Sequence, residues 1–194
     1  MEDPADSPRI RAAQEGSPTA IEQLYERSAP KLLAYIRLRM GRSLRSRLES
    51  RDILQAAMLK SFERLDEFRG THTGSLMAWL AKIAEREIAD RADFYRRQRR
   101  DAAREEPLEE GREVPAAVRS ALSQAIADER TEQLEEAIES LSDAHREIIL
   151  LRKFEELSFP EIAARLGKSE DACRMLLARA MTALTIRLAS RERP

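Results

Sequence analysis

The side chains in this chain that could do chemistry are mostly guanidinium groups. Arg96, Arg97, Arg99 and Arg100 follow the aromatic pair Phe94-Tyr95, with Arg86 and Arg91 upstream; Arg165, Lys168, Arg174 and Arg179 lie nearer the C-terminus. A guanidinium presents a rigid fork of N–H donors that matches a phosphate or a base edge, and an adjacent aromatic ring offers a base a face to stack on. The chemistry on offer is recognition of nucleic acid. Signs of catalysis are missing: no Gly-rich phosphate loop, nucleophile–base pair or metal cluster is visible, so neither an enzyme nor a cofactor is expected. With His72, His145 and the single cysteine Cys173, a zinc site has no ligand set. Cys173 falls on an apolar stripe and reads as packing.

These groups need helices to hold them. Ala, Leu, Glu and Arg abound, aromatics make up 5% of the 194 residues, and Gly (6) and Pro (8) are scarce. That mix suits helices and disfavours a sandwich or barrel. No alternating pattern of useful length and no internal repeat is present. Ser17-Pro18 can start a first helix, whose apolar positions Ile21, Leu24, Tyr25, Leu32 and Ile36 recur at helical spacing and end near Gly41. A second is expected from Ser50–Asp52 to Phe68, closed by Gly70, and a third from Ser75 to about Arg100. In the third, Trp79 stands in the apolar stripe and reads first as core. A further helix is expected over Ala121–Ser140. Ser142 or Asp143 can cap the next, which carries Ile148, Ile149, Leu151 and Phe154.

Hydrophobic residues make up 42% of the chain, enough for real cores, and net charge is −1. Charge is unevenly spread: Trp79–Arg100 holds seven Lys/Arg against four Asp/Glu, Glu161–Arg191 six against three, and Asp101–Glu139 four against twelve. Two basic modules therefore flank an acidic connector, whose Pro107 and Pro115 suit a linker. A lone cysteine fits a reducing compartment, the N-terminal residues lack a signal-peptide apolar region, and no apolar run approaches the roughly 18 residues needed to span a bilayer. A cytoplasmic protein without membrane insertion is expected.

The sharpest local pattern is C-terminal. Ser158-Phe159-Pro160-Glu161 fits a capping box, Ile162, Ala163 and Leu166 form a short stripe, and Gly167 stops the helix. Ser169 can cap the next helix, with Glu170 and Asp171 in its positive first turn and Cys173, Leu177, Ala180, Leu184 and Leu188 as its stripe. Two short helices joined by a tight turn match a helix-turn-helix, and equally a plain helical hairpin. On the first reading the second helix enters the major groove, where Arg174 and Arg179 can reach phosphates or base edges. Arg165, Lys168 and Ser169 then flank the turn.

Two stretches share a resemblance. Asp52-Ile53-Leu54-Gln55 through Phe62 to Leu65-Asp66-Glu67-Phe68-Arg69-Gly70 resembles region two of bacterial sigma factors, whose pattern is roughly Asp-Leu-Val-Gln, an aromatic, then Leu-Asp-x-Phe-Arg-Gly. Trp79-Leu80, Ile83-Ala84 and Asp90 with the basic end look like the next helix of that region. Leu141-Ser142 through Leu188 is similar to region four, marked by Arg146-Glu147-Ile148, Leu157 through Ala163, Leu166-Gly167-Lys168-Ser169 and Arg179-Ala180. Together the matches cover about two thirds of the chain and leave no room for a middle domain. The chain thus resembles the extracytoplasmic-function (ECF) type of the sigma-70 family.

The resemblance implies an all-α protein with two helical domains. Residues 15–100 would form region two, 101–120 a linker, and 121–190 region four with its helix-turn-helix. It implies a function: directing RNA polymerase core to promoters and assisting strand opening. Asp52, Gln55, Leu59 and Arg64 would dock on the β′ clamp helices, although Leu59 also fits a core position. Thr71, Thr73 and the loop to Ser75, with Arg86, Arg91, Arg96 and Arg97, would open and read the minus-ten element. Arg165, Lys168, Ser169, Arg174 and Arg179 would serve the minus-thirty-five element, with region four also meeting the β flap. The linker would thread the RNA-exit or active-site path, and its Glu105, Glu106, Glu109 and Glu110 could keep free DNA off the basic faces.

The chain departs from the family pattern in two places. Arg-Asn is common where this chain has Glu85-Arg86, a reversal of the first charge. A Thr-Val-Lys-Ser-Arg-Leu recognition helix is common where this chain reads Ala172-Cys173-Arg174-Met175-Leu176-Leu177. Fewer polar groups then face the groove, which suits either recognition by methyl contacts and DNA shape or a protein partner such as an anti-sigma protein on exposed Met175 and Leu176. Two alternatives stand beside the sigma reading: a regulator using only the helix-turn-helix, and a helical protein-interaction module.

Overall fold

Ser17 and Pro18 start the longest helix among the described residues. In the computed structural model, which describes residues 6–45, 48–70, 73–98, 115–126 and 129–191, the Ser17 hydroxyl accepts from the Ala20 N–H at 3.4 Å. This helix, α2 (Pro18–Arg45), runs past Gly41 and follows a short α1 (Asp6–Gln14). The remaining helices are α3 (Ser50–Glu63), α4 (Thr73–Gln98), α5 (Ala116–Ile126), α6 (Glu129–Glu139), α7 (Asp143–Ile149), α8 (Phe159–Leu166) and α9 (Glu170–Arg191). No strand occurs among the described residues, and none of their helices is long and apolar enough to cross a membrane.

Several boundaries differ from the sequence expectation. Sequence gave no helix before Ser17, yet α1 buries Ile10 and Ala13, and Gln14 Nε2 donates to the carbonyls of Leu65 (3.0 Å) and Phe68 (2.7 Å). Those bonds hold the turn that ends α3. The helix expected to reach Phe68 stops at Glu63 and tightens into a 3-10 turn over Leu65–Glu67. Leu65 and Phe68 are buried at this turn. Within the stretch expected to be helical over Ala121–Ser140, α5 and α6 lie on either side of residues 127–128, which are outside the described residues, and α5 begins inside the stretch read as linker. Residues 101–114, including Glu105, Glu106, Glu109 and Glu110, lie outside the described residues.

α2 is the organising element. It packs against α1, α3 and α4 on the N-terminal side and also against α5 and α6. Leu24, Leu32, Leu33, Tyr35 and Ile36 are buried along it. Tyr25 meets Ser61 of α3, hydroxyl to hydroxyl, at 2.9 Å. α3 and α4 are joined by the Lys60–Glu87 ion pair and by Arg91, whose Nη2 donates to the Asp52 carbonyl at 3.3 Å. In the C-terminal half, α7 continues into a π-helical turn over Leu150–Phe154 that buries Leu150, Leu151 and Phe154, and α9 packs across α6, α7 and α8. One contiguous core runs through both halves.

Candidate nucleic-acid and polymerase interfaces

Local chemistry sets the C-terminal pair of helices. The Ser158 side chain accepts from the Glu161 N–H at 3.5 Å, and Glu161 Oε2 accepts from the Ser158 N–H at 2.8 Å, completing the capping box. The Ser158 hydroxyl also donates to that carboxylate, and these bonds hold the Glu161 carboxyl below the usual carboxylate range. Gly167 takes a left-handed φ of +62°, and the Lys168 N–H returns to the Ala163 carbonyl at 3.1 Å. Ser169 then caps α9 by accepting from the Ala172 N–H at 3.2 Å. Cys173, Ala180 and Leu184 are buried, so the opposite face of α9 is outward.

That outward face is less cationic than its sequence. Arg174 Nη2 donates to Glu170 at 2.8 Å and Nη1 to Asp171 at 2.9 Å. Its guanidinium also lies 5.0 Å from the centre of the Phe159 ring, with Arg152 at 5.4 Å. Arg179 and Lys168 are exposed, and among the described residues neither has an ion-pair partner. Met175 is exposed as expected, but Leu176 is half-buried and packs on the core, a correction to its reading as outward. Its position three residues after Cys173 carries it partly onto the packed side of the helix.

On α4, Arg86 and Arg97 are exposed, while Arg91 is half-buried through its bond to α3. Phe94 is exposed and stands edge-on to Tyr95, ring centres 5.8 Å apart. Trp79 packs on Phe68 with centres 5.4 Å apart, which makes it part of the core wall. Thr71 lies outside the described residues, as do the side chains of Thr73 and Arg96. On α3, Ile53, Leu54, Ala57, Met58 and Ser61 are buried. Asp52 is exposed on the other side, with Gln55 and Leu59 half-buried, and Arg64 is exposed in an ion pair with Glu67 at 2.6 Å.

One cluster has no counterpart in the sequence expectation. Arg39 of α2 donates to Glu155 at 2.7 Å and Glu147 at 2.7 Å and lies 3.2 Å from Glu85 of α4. Arg165 of α8 donates to Glu155 at 3.0 Å and Glu85 at 2.9 Å. The Tyr35 hydroxyl donates to Glu155 at 3.0 Å and accepts from Arg39 at 3.3 Å. Burial pushes the Tyr35 phenol up, so it stays a donor. Burial works against the Arg39 charge, but Tyr35 and Glu147 outweigh it and its pKa is raised. The reversed charge at Glu85 was the one sequence signal of this cluster. Its members are scattered from residue 35 to residue 165, beyond the reach of any spacing rule.

Comparisons with known proteins find relatives for both halves of the chain. Residues 24–101 match the family described as Sigma-70 region 2, and residues 131–184 match Sigma-70, region 4. The chain is 30% identical over 175 residues to the ECF RNA polymerase sigma factor SigD of Mycobacterium tuberculosis, covering 90% of this chain and 80% of that protein. It is 30% identical over 170 residues to the RNA polymerase sigma factor YlaC of Bacillus subtilis, covering 83% and 87%. Among solved structures it is similar to CnrH in complex with the cytosolic domain of CnrY, at 23% identity and a TM-score of 0.43, covering 96% and 98%. With both regions matched in order and such relatives along most of its length, the chain belongs to the sigma-70 family of RNA polymerase sigma factors, in the extracytoplasmic-function group.

Proposed function

We propose that this sigma factor docks on the β′ clamp helices of polymerase core through the outer side of α3 and places its two basic surfaces on promoter DNA. The observation that carries the reading is the two-sidedness of α3. Its core face is filled by Ile53, Leu54, Ala57 and Met58, while Asp52, Gln55 and Leu59 recur at intervals of three and four on the other side.

Residues 15–100 then serve polymerase and the minus-ten element, with Arg86, Arg91, Arg96 and Arg97 tracking the strand backbone and Thr71 and Thr73 at the base pocket. Residues 101–120 link this part to 121–190, whose Arg165, Lys168, Ser169, Arg174 and Arg179 serve the minus-thirty-five element and the β flap. The protein works in the cytoplasm as an initiation factor, catalyses nothing itself and needs no cofactor.

Run-off transcription with core polymerase on pooled genomic promoter fragments tests the reading. Transcripts with defined start sites that require this chain are expected. Absence of transcripts, together with no core binding in a pull-down, would sink it. One observation favours a protein partner for the recognition helix: Arg174 is already engaged while Met175 stands exposed beside it. An anti-sigma protein is the class of partner that fits.

A further inference from the structure

We infer that Gln14, the last residue of α1, is a positioning residue for promoter recognition: it fixes the chain where it leaves α3 and enters the loop assigned to the minus-ten element. Gln14 Nε2 donates to the carbonyls of Leu65 at 3.0 Å and Phe68 at 2.7 Å. Both partners only accept, so the amide nitrogen, not its oxygen, must face them. That nitrogen carries two N–H groups, and both are used. The Phe68 carbonyl lies past the 3-10 turn Leu65–Glu67, where no helix continues to supply a donor, and Arg69 reaches it only at 3.5 Å. Water would satisfy such a carbonyl at little cost but leave it free to move. A side chain from another helix holds it in place, and α1 is itself anchored by buried Ile10 and Ala13.

The clamped segment forms a corner without spare room. The Phe68 ring packs on Trp79 of α4, centres 5.4 Å apart. A Cβ on Gly70 would collide with the Phe68 ring and with the Ser75 hydroxyl in the first turn of α4. Gly70 thus sits tightly between the end of the α3 turn and the start of α4. A shift of Phe68 is passed on to both.

This role rests on the assignment of the loop after Gly70 to the minus-ten element. A pocket that reads a flipped base separates right from wrong only if its supports are held to about 0.5 Å. The clamp therefore acts on discrimination between promoters, not on the capacity to transcribe.

The test is run-off transcription by holoenzyme carrying the full chain, on a responsive promoter and on copies with one minus-ten base changed. The readout is the ratio of transcript from the parent element to transcript from the changed one. A smaller folded or polymerase-bound fraction lowers both transcripts alike and leaves the ratio as it was. With the parent chain a wrong base should cost about tenfold. Gln14→Leu keeps the bulk and removes the donors, and should reduce the ratio to about twofold. Gln14→Lys restores donors to the same carbonyls and should return the ratio close to the parent's. An unchanged ratio for Gln14→Leu overturns the role, because any loss would then be one of stability alone. A ratio for Gln14→Lys as low as that for Gln14→Leu also overturns it. Thr73→Ala separates this failure from failure of the assignment. If Thr73→Ala lowers the ratio and Gln14→Leu does not, the loop reads the element without help from Gln14. If neither lowers it, the assignment of the loop falls, and the role of Gln14 with it.

Discussion

Arg165 and Glu85 meet at 2.9 Å although 80 positions separate them in the chain. Around that contact lies a cluster whose most buried acid, Glu155, depends on Arg39. Removing one member of a buried pair leaves a charge without its partner, a loss larger than the pair's own net contribution. Arg39→Met should therefore lower unfolding free energy by about 3 kcal/mol, and Arg39→Met with Glu155→Leu should recover most of it. Urea denaturation of the three proteins measures this. A loss below about 1 kcal/mol for the single variant would show that Tyr35 and Arg165 suffice for Glu155.

The α8 caps make a second, local prediction. Ser158→Ala removes an N-cap acceptor and should cost about 1 kcal/mol. Nothing lies within 4 Å of a Cβ built on Gly167, so the cost of Gly167→Ala, roughly 1–2 kcal/mol, is purely that of a left-handed backbone. The Glu161 carboxyl is held low by the Ser158 hydroxyl and backbone N–H. A depressed acid contributes its stability above the unfolded pKa and loses it as pH falls through the folded one. The capping box should thus be complete at neutral pH and weaken only once the pH falls below the ordinary carboxylate range. Amide exchange at Glu161 and Ile162 as the pH is lowered reads the loss; protection lost already near pH 6 would contradict it.

What the sequence disclosed and what it hid follow from the range of each interaction. Ser17-Pro18, Ser158 with Glu161, and Gly167 act within one helical turn, and each was legible from residue type and spacing. Cys173, Ala180 and Leu184 were legible as a stripe, because burial follows the helical period. Helix α1 was not: it rests on Ile10 and Ala13 and on side-chain bonds from Gln14 to carbonyls more than 50 residues away. The break after Glu63 and the π turn at Leu150–Phe154 are set by tertiary packing, which local propensity does not carry. Arg165 was legible as a cation by the turn, but its acidic partners were not.

The outer side of α3 can be separated from its core side by paired substitutions. Ile53 is fully buried, so Ile53→Ala should cost about 2–4 kcal/mol and reduce core binding only in proportion to unfolding. Asp52 is exposed in the first turn of α3, so Asp52→Lys should cost only about 1 kcal/mol of stability while reducing polymerase binding by more than about tenfold. A pull-down with purified core and a melt on the same samples decide the matter. Retained binding by Asp52→Lys would move the docking surface off α3.

On α9 the two arginines should behave differently. Arg179 has no acidic partner among the described residues, whereas Arg174 is held by Glu170 and Asp171 and lies over Phe159. A phosphate approaching Arg174 must displace two carboxylates already in place; one approaching Arg179 displaces only water and counterions. Arg179→Ala should therefore weaken holoenzyme binding to a responsive promoter and reduce the slope of log affinity against log salt by about 1. Arg174→Ala should leave that slope close to the parent's. Glu170→Gln with Asp171→Asn should free Arg174 and tighten binding, most at low salt, although it also removes two favourable charges from the first turn of α9. Titrations between about 50 and 200 mM salt resolve the three cases. Equal losses for Arg174→Ala and Arg179→Ala would mean that the carboxylates give way on the promoter and that the face seen in the free chain is remade by DNA.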